Sequence, residues 1–200
     1  MKIIPRDQHS ISRKNISDGA LKVMSRLRKE GHQAYLVGGA VRDLLLGGHP
    51  KDFDIATDAT PETVHALFRN SRIIGRRFRI VHVRFGREII EVTTFRGHHD
   101  NDAEPTSESG GNHSRQSASG LLLRDNVYGT LEEDAVRRDL TVNALYYDAG
   151  KFEVFDHVHG LRDLERRSIC IIGDPAVRFT EDPVRMLRVL RFAAKLEFSI

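Results

Sequence analysis

Cysteine is almost missing from this chain: Cys170, set in the apolar run SICIIG, is the single one among 200 residues. One thiol builds neither an intrachain disulfide framework nor a cysteine-rich zinc cluster, and it fits a reducing compartment. Long apolar runs are missing too. The opening MKIIPRDQHSISRKN has no continuous apolar core of signal-peptide length, and no run approaches the roughly 18 residues of a membrane span. No membrane partner is therefore expected, and the expected location is the cytoplasm. Internal repeats of useful length are lacking. A large charge of one sign is lacking as well, with 31 Lys and Arg against 28 Asp and Glu for a net +3. What is present, 40% hydrophobic and 30% charged residues, excludes a disordered chain and suffices for one full core with the start of a second. A pI near 9.2 and clustered arginines point to local anion-binding faces, which permits a nucleic-acid partner without requiring one.

The segments read as strands mixed with helices. After a polar arm over residues 1–15, Ser17 is placed to cap a helix with Ala20, Met24 and Leu27 at helical spacing and Gly31 as its stop. QAYLV, residues 33–37, reads as a strand, and Gly38 and Gly39 break it before the short helix AVRDLLL. A second strand is expected over DFDIAT, residues 52–57, and Thr60 followed by Pro61 opens another helix. FRIVHVRF and REIIEVTTF, separated at Gly86, read as two more strands. Residues 97–120 turn to Gly, Ser, Asn, Asp and His, too long and too polar for an ordinary connection, so a mobile loop or insertion is expected there. EEDAVRRDLTVNAL reads as a helix, KFEVFD as a strand, and DPVRMLRVLRFAAKLEFSI as an amphipathic helix running nearly to the last residue.

Asp52 and Asp54, two apart on an extended stretch, share one face while Phe53 and Ile55 point inward. Carboxylates held side by side repel unless a divalent cation sits between them, and Mg²⁺, which prefers oxygen ligands and nucleotide phosphates, is the natural candidate. A bare pair at this spacing is also a common turn end or solvated edge. Gly38 and Gly39 let the backbone approach a polyphosphate, with Arg42 one turn further on, or else simply make a tight turn. They fit neither the dinucleotide fingerprint nor the P-loop. Glu91, opposite in facing to Ile90 and Val92, could join the two aspartates from a neighbouring strand or merely face solvent.

In RRDLTVNAL, Arg138, Asp139 and Asn143 combine a cation, an acceptor and an amide suited to triphosphate and ribose, although a plain surface helix also reads this way. In EDPVRMLRVLRF, Arg185, Arg188, Arg191 and Lys195 form a cationic stripe beside an apolar one of Val184, Leu187, Leu190 and Ala194. Such a stripe is expected against acids or phosphate, with solvated exposure as the bland alternative. His98, His99, His157 and His159 are assigned to loops and surface, since no spacing makes a zinc set.

Together LVGGAVRDLLL, KDFDIAT, EVTTFR, RRDLTVNAL and EDPVRMLRVLRF, ordered from about Ile16 to the end, resemble the class II branch of the polymerase-β-like nucleotidyltransferases, which holds poly(A)-adding and CCA-adding enzymes. IIGRRFRIVHV and LLLRDNVYGTLEEDA look like the poly(A)-adding subtype. The resemblance implies an α+β head, a mixed sheet flanked by helices, over residues 16–150, then the end of the head and the first helix of an α-helical neck over 151–200, cut short of its continuation. It implies transfer of AMP from ATP to RNA 3′ ends with two Mg²⁺ ions, Asp52 and Asp54 as their ligands, and Glu91 and Asp139 as further active-site acids. Gly38, Gly39, Arg42, Arg138, Asn143, Arg185 and Arg188 are then nucleotide ligands, Glu181, Asp182 and Arg185 forming the element that reads the base in CCA-adding relatives. CCA addition to tRNA is the competing enzyme reading, and an inactive RNA-binding module the reading from another class.

Overall fold

The computed structural model describes residues 1–75, 78–97, 115–116, 122–124 and 127–200. In chain order they form β1 (Lys2–Ile4), α1 (Asp18–Lys29), β2 (Ala34–Val37), α2 (Gly39–Leu45), β3 (Asp54–Thr57), α3 (Pro61–Leu67), β4 (Ser71–Ile74), β5 (Ile80–Phe85) and β6 (Glu88–Thr94). A small antiparallel pair, β7 (Arg115–Gln116) and β8 (Leu122–Arg124), is followed by α4 (Leu131–Arg137), β9 (Leu145–Asp148), β10 (Glu153–Asp156), α5 (Gly160–Glu165), α6 (Pro175–Glu181) and α7 (Val184–Leu196). Eight strands make one mixed sheet in the order β1-β10-β9-β2-β3-β6-β5-β4. The expected mobile segment 97–120 falls for the most part outside the described residues.

Local chemistry starts the helices where the sequence indicates. Ser17 Oγ accepts the Ala20 N–H at 3.1 Å, and α1 buries Ala20, Val23, Met24 and Leu27 on one face. Thr60 Oγ1 accepts the Thr63 N–H, with Pro61 opening α3. Against α1 lie Leu36, Ile55, Ile90 and Val92, all fully buried in the main core. Removing each such side chain from water contributes about 1.5–3 kcal/mol. Val37, Ala56, Phe95, Tyr146 and Phe155 form a smaller cluster that packs separately.

Two expectations need correction. The polar arm of residues 1–15, set apart from the head, joins its sheet: Lys2–Ile4 pairs with Glu153–Asp156 at the edge, and Ile4 and Ile11 are buried. The helix read over EEDAVRRDLTVNAL is divided. It ends at Arg137, and Arg138 turns extended (ψ 169°). Leu140 then bridges Ile171, the Thr141 N–H donates to the Cys170 carbonyl, Thr141–Asn143 makes one 3₁₀ turn, and β9 follows. Pairing with the 170–172 segment satisfies the backbone groups that a continued helix would have satisfied. On α7 the apolar stripe of Val184, Leu187 and Leu190 is 55–67% exposed, whereas Val189 and Phe192 are buried and Arg185 lies on the covered side against Glu181.

Candidate active site

β2 runs antiparallel to β3 and ends at Val37, opposite Asp54. The next residue, Gly38, has φ +75° and ψ −137°, a backbone that side chains other than glycine's rarely tolerate. A Cβ built there would lie 3.8 Å from Asp54 Oδ2 and 4.0 Å from the Arg138 guanidinium. The turn thus holds bare backbone against a carboxylate and a cation.

β3 begins at Asp54, so Asp52 precedes the strand proper instead of lying within it. Phe53 and Ile55 are buried as alternation requires. β6 runs parallel to β3, with Glu91 in register with Asp54. Burial pushes the Asp54 carboxyl up to about 6, Glu91 and Asp52 adding to the rise and Arg138 opposing it. Across β6 on β5, His82 Nε2 stands 3.3 Å from Glu91 Oε1. Acid therefore gathers at one end of the β3/β6 pair, in a partly desolvated place. Among the described residues no three His, Cys, Asp or Glu side chains converge into a ready metal cage. The donor set suits a hard divalent cation that takes one or two carboxylates and completes its shell with substrate oxygens, as Mg²⁺ does.

Arg138 is anchored behind this point. It donates to Asp134 at 2.9 and 3.2 Å and to the Tyr146 hydroxyl at 2.8 Å, while that hydroxyl donates to Asp134 at 2.7 Å. Burial opposes the Arg138 charge, but Tyr146 and Asp134 outweigh it and raise its pKa, so the cation is permanent. Asp134 and Tyr146 were missed by the sequence reading; Asp134, four residues before Arg138, had the spacing at which a helix pairs acid with cation, whereas nothing in the sequence pointed to Tyr146 on β9.

Arg42 and Asn143 lie deeper than expected. Arg42 is 2% exposed, paired with Asp43 at 2.7 Å, donating to Asn143 Oδ1 at 2.5 Å, and set over the Phe192 ring at 5.0 Å. Its donors face protein groups, which makes it a support for Asn143 and α7 in this arrangement.

Asp139 turns the other way and accepts from Arg188 Nε and the Leu140 N–H. Burial pushes the Asp139 carboxyl up, but Arg188 and these hydrogen bonds outweigh it, so the net shift is downward. Arg188 is thus oriented by Asp139, not by Glu181 or Asp182. Glu181 instead holds Arg185 at 2.8 Å and Arg178 at 2.9 Å. Asp182 accepts the Val184 N–H at the start of α7. Arg178, which no sequence pattern singled out, donates to the carbonyls of Arg137 at 2.5 Å and Arg138 at 2.7 Å. His98 and His99 lie outside the described residues, and His157 is partly covered, its two ring nitrogens buried.

A mixed sheet carrying paired acids at a strand end beside a Gly-Gly turn defines a polymerase-β-like nucleotidyltransferase head. Residues 34–170 match the family model described as the poly A polymerase head domain, and the chain belongs to that family. It is 60% identical to poly(A) polymerase I of Salmonella typhimurium over its full length, which spans 42% of that protein. It is 42% identical over 181 residues to the CCA-adding enzyme of Bacillus pumilus, covering 90% of this chain and 41% of that one. Among solved structures, the Bacillus stearothermophilus CCA-adding enzyme in complex with CTP superposes with a TM-score of 0.73 at 36% identity, over 90% of this chain and 40% of the other. The chain thus spans about two fifths of the length of the relatives it matches.

Proposed function

We propose that this chain is the catalytic head of a template-independent RNA adenylyltransferase of the cytoplasm, transferring AMP from ATP to an RNA 3′-hydroxyl with release of pyrophosphate. The observation that carries the reading is the in-register placement of Asp54 and Glu91 on adjacent parallel strands, with Asp52 just ahead and Gly38 alongside. Asp52 and Asp54 are the residues that would hold Mg²⁺, and Glu91 faces the attacking hydroxyl. Bound there, the metal supplies a lowered hydroxyl pKa and charge neutralisation at the leaving pyrophosphate. Gly38 and Gly39 bring backbone close to the triphosphate, and Arg138, held by Asp134 and Tyr146, places a fixed cation beside it. Asn143, braced by Arg42, and Asp139, paired with Arg188, shape the ribose side. Arg185 is held by Glu181 and by the Arg178 carbonyl at 2.9 Å, so its fork meets base or phosphate in a preset orientation. The exposed apolar face of α7 suits the first helix of a neck whose partner helices cover it.

The test is incorporation by the complete natural polypeptide, given one nucleotide at a time. Poly(A) growth on unstructured RNA from ATP supports the reading. Ordered use of CTP and then ATP on tRNA supports CCA addition, the second reading, which the likeness to CCA-adding enzymes favours. No Mg²⁺-dependent incorporation on either primer would leave an RNA-binding module.

A further inference from the structure

His82 occupies a place next to the acids that the reading above does not use. The sheet register sets Arg72 of β4, His82 of β5, Glu91 of β6 and Asp54 of β3 in one row across four neighbouring strands, so their side chains emerge on the same face. Along the row the chemistry runs cation, imidazole, carboxylate, carboxylate. Arg72 at the sheet edge is exposed, but His82 Nε2 is shielded from solvent and has no well-aligned hydrogen-bond partner among the described residues. Glu91 Oε1 stands 3.3 Å from that nitrogen, off its ideal line. A bare imidazole lone pair against a carboxylate oxygen would repel it, so the stable arrangement carries the proton on Nε2. A shielded donor with one acceptor in reach gains most by holding that acceptor still.

Glu91 needs such a restraint. Its side chain is 47% exposed, and three rotatable bonds separate its carboxylate from the backbone. Its neighbour Asp54, in register on the adjacent strand, carries like charge and repels it. Left alone, the Glu91 carboxylate would swing toward water and away from the place where a hydroxyl must be met within a fraction of an ångström.

We propose that His82 is a positioning residue for Glu91: Nε2–H holds Oε1 against β5 and keeps the other carboxylate oxygen turned toward Asp54 and the attacking 3′-hydroxyl. This rests on the reading of Glu91 as an active-site acid. Because His82 touches neither nucleotide nor primer in this assignment, its loss alters the rate of transfer and not the binding of ATP.

The experiment uses the complete polypeptide with ATP and an unstructured RNA primer, and compares His82→Ala, His82→Gln, Glu91→Gln and the double variant His82→Ala/Glu91→Gln. His82→Ala is expected to lower kcat about tenfold to a hundredfold, with KM for ATP within about twofold of wild type. His82→Gln, whose amide also donates at this reach, is expected to restore kcat to within about threefold, and the double variant to be no slower than Glu91→Gln alone. Wild-type kcat in His82→Ala, with Glu91→Gln impaired, overturns the role of His82 and leaves the acid assignment standing. Loss in His82→Gln equal to that in His82→Ala, or additive losses in the double variant, also overturns it, because a structural role predicts both. Wild-type kcat in Glu91→Gln overturns the acid assignment and this proposal with it.

Discussion

Asp54 is the residue at which the site's free-energy conflict is concentrated. Its folded-state carboxyl titrates near 6 against a reference value of 3.8, because burial and then Glu91 disfavour its charge. A group with a raised folded pKa binds its proton more tightly in the native state, so the native state loses stability as pH climbs from about 4 to about 6, and the loss is complete above that. In metal-free buffer, Asp54→Asn is therefore expected to melt higher than wild type at pH 7, by about 1–3 kcal/mol, with the gap closing as pH falls toward 4. Parallel melting curves across that range would remove the repulsion argument. The same variant, like Asp52→Ala, is expected to abolish AMP incorporation, and retained activity in either would end its assignment as a metal ligand. The acids were legible residue by residue, since alternation alone separates Asp52 and Asp54 from the buried Phe53 and Ile55. Arg42 was not legible. A cation after a glycine pair reads as a phosphate ligand, and only the fold shows Asp43, Asn143 and Phe192 closing around it.

Two short helices and one long one set the geometry around those residues. The last carbonyls of α4 point at Arg178 on α6, which also shares Glu181 with Arg185 at the start of α7. One guanidinium thereby joins the segment that bears Arg138 and Asp139 to the segment that bears Arg185 and Arg188. Its side chain is 13% exposed, so its loss strands carbonyls with little water to replace it. Arg178→Ala is expected to cost about 2–4 kcal/mol of stability, with Arg178→Lys recovering only part because an ammonium cannot span both carbonyls and Glu181. Chemical denaturation of the two variants checks this, and equal stability of Arg178→Ala and wild type would show that the bridge contributes nothing. At this scale the sequence read well where the cause was local, as at the Ser17 and Thr60 caps. It read poorly at 138–145, where residues with helical spacing leave the helix to pair with the distant 170–172 segment and to enter β9, which lies between the adjacent β10 and the distant β2.

At the scale of the whole molecule, α7 leaves Val184, Leu187 and Leu190 facing outward, and its buried side is shared by Val189, Phe192 and arginine stems. Within this chain those leucines touch too little to hold the fold. Leu187→Glu with Leu190→Glu in the 200-residue chain is expected to leave the melting temperature within about 2 °C and to reduce self-association on size exclusion, since surface changes away from packing cost within about 0.5 kcal/mol. A marked fall in melting temperature would mean that this face is packed in solution. Amphipathic spacing had marked the stripe as apolar without saying what, if anything, covers it, because periodicity defines faces and not neighbours. By itself the sequence determined the α+β mixture of strands and helices, the helix starts, the glycine turn and the paired aspartates, all consequences of interactions within a few residues. Only the tertiary structure decided that Glu91 stands beside Asp54 with His82 behind it, that Tyr146 of β9 joins Asp134 in anchoring Arg138, and that Asp139 meets Arg188. Each of those depends on strand register or on packing between segments that the chain separates, and a one-residue shift in register would turn Glu91 to the other face of the sheet.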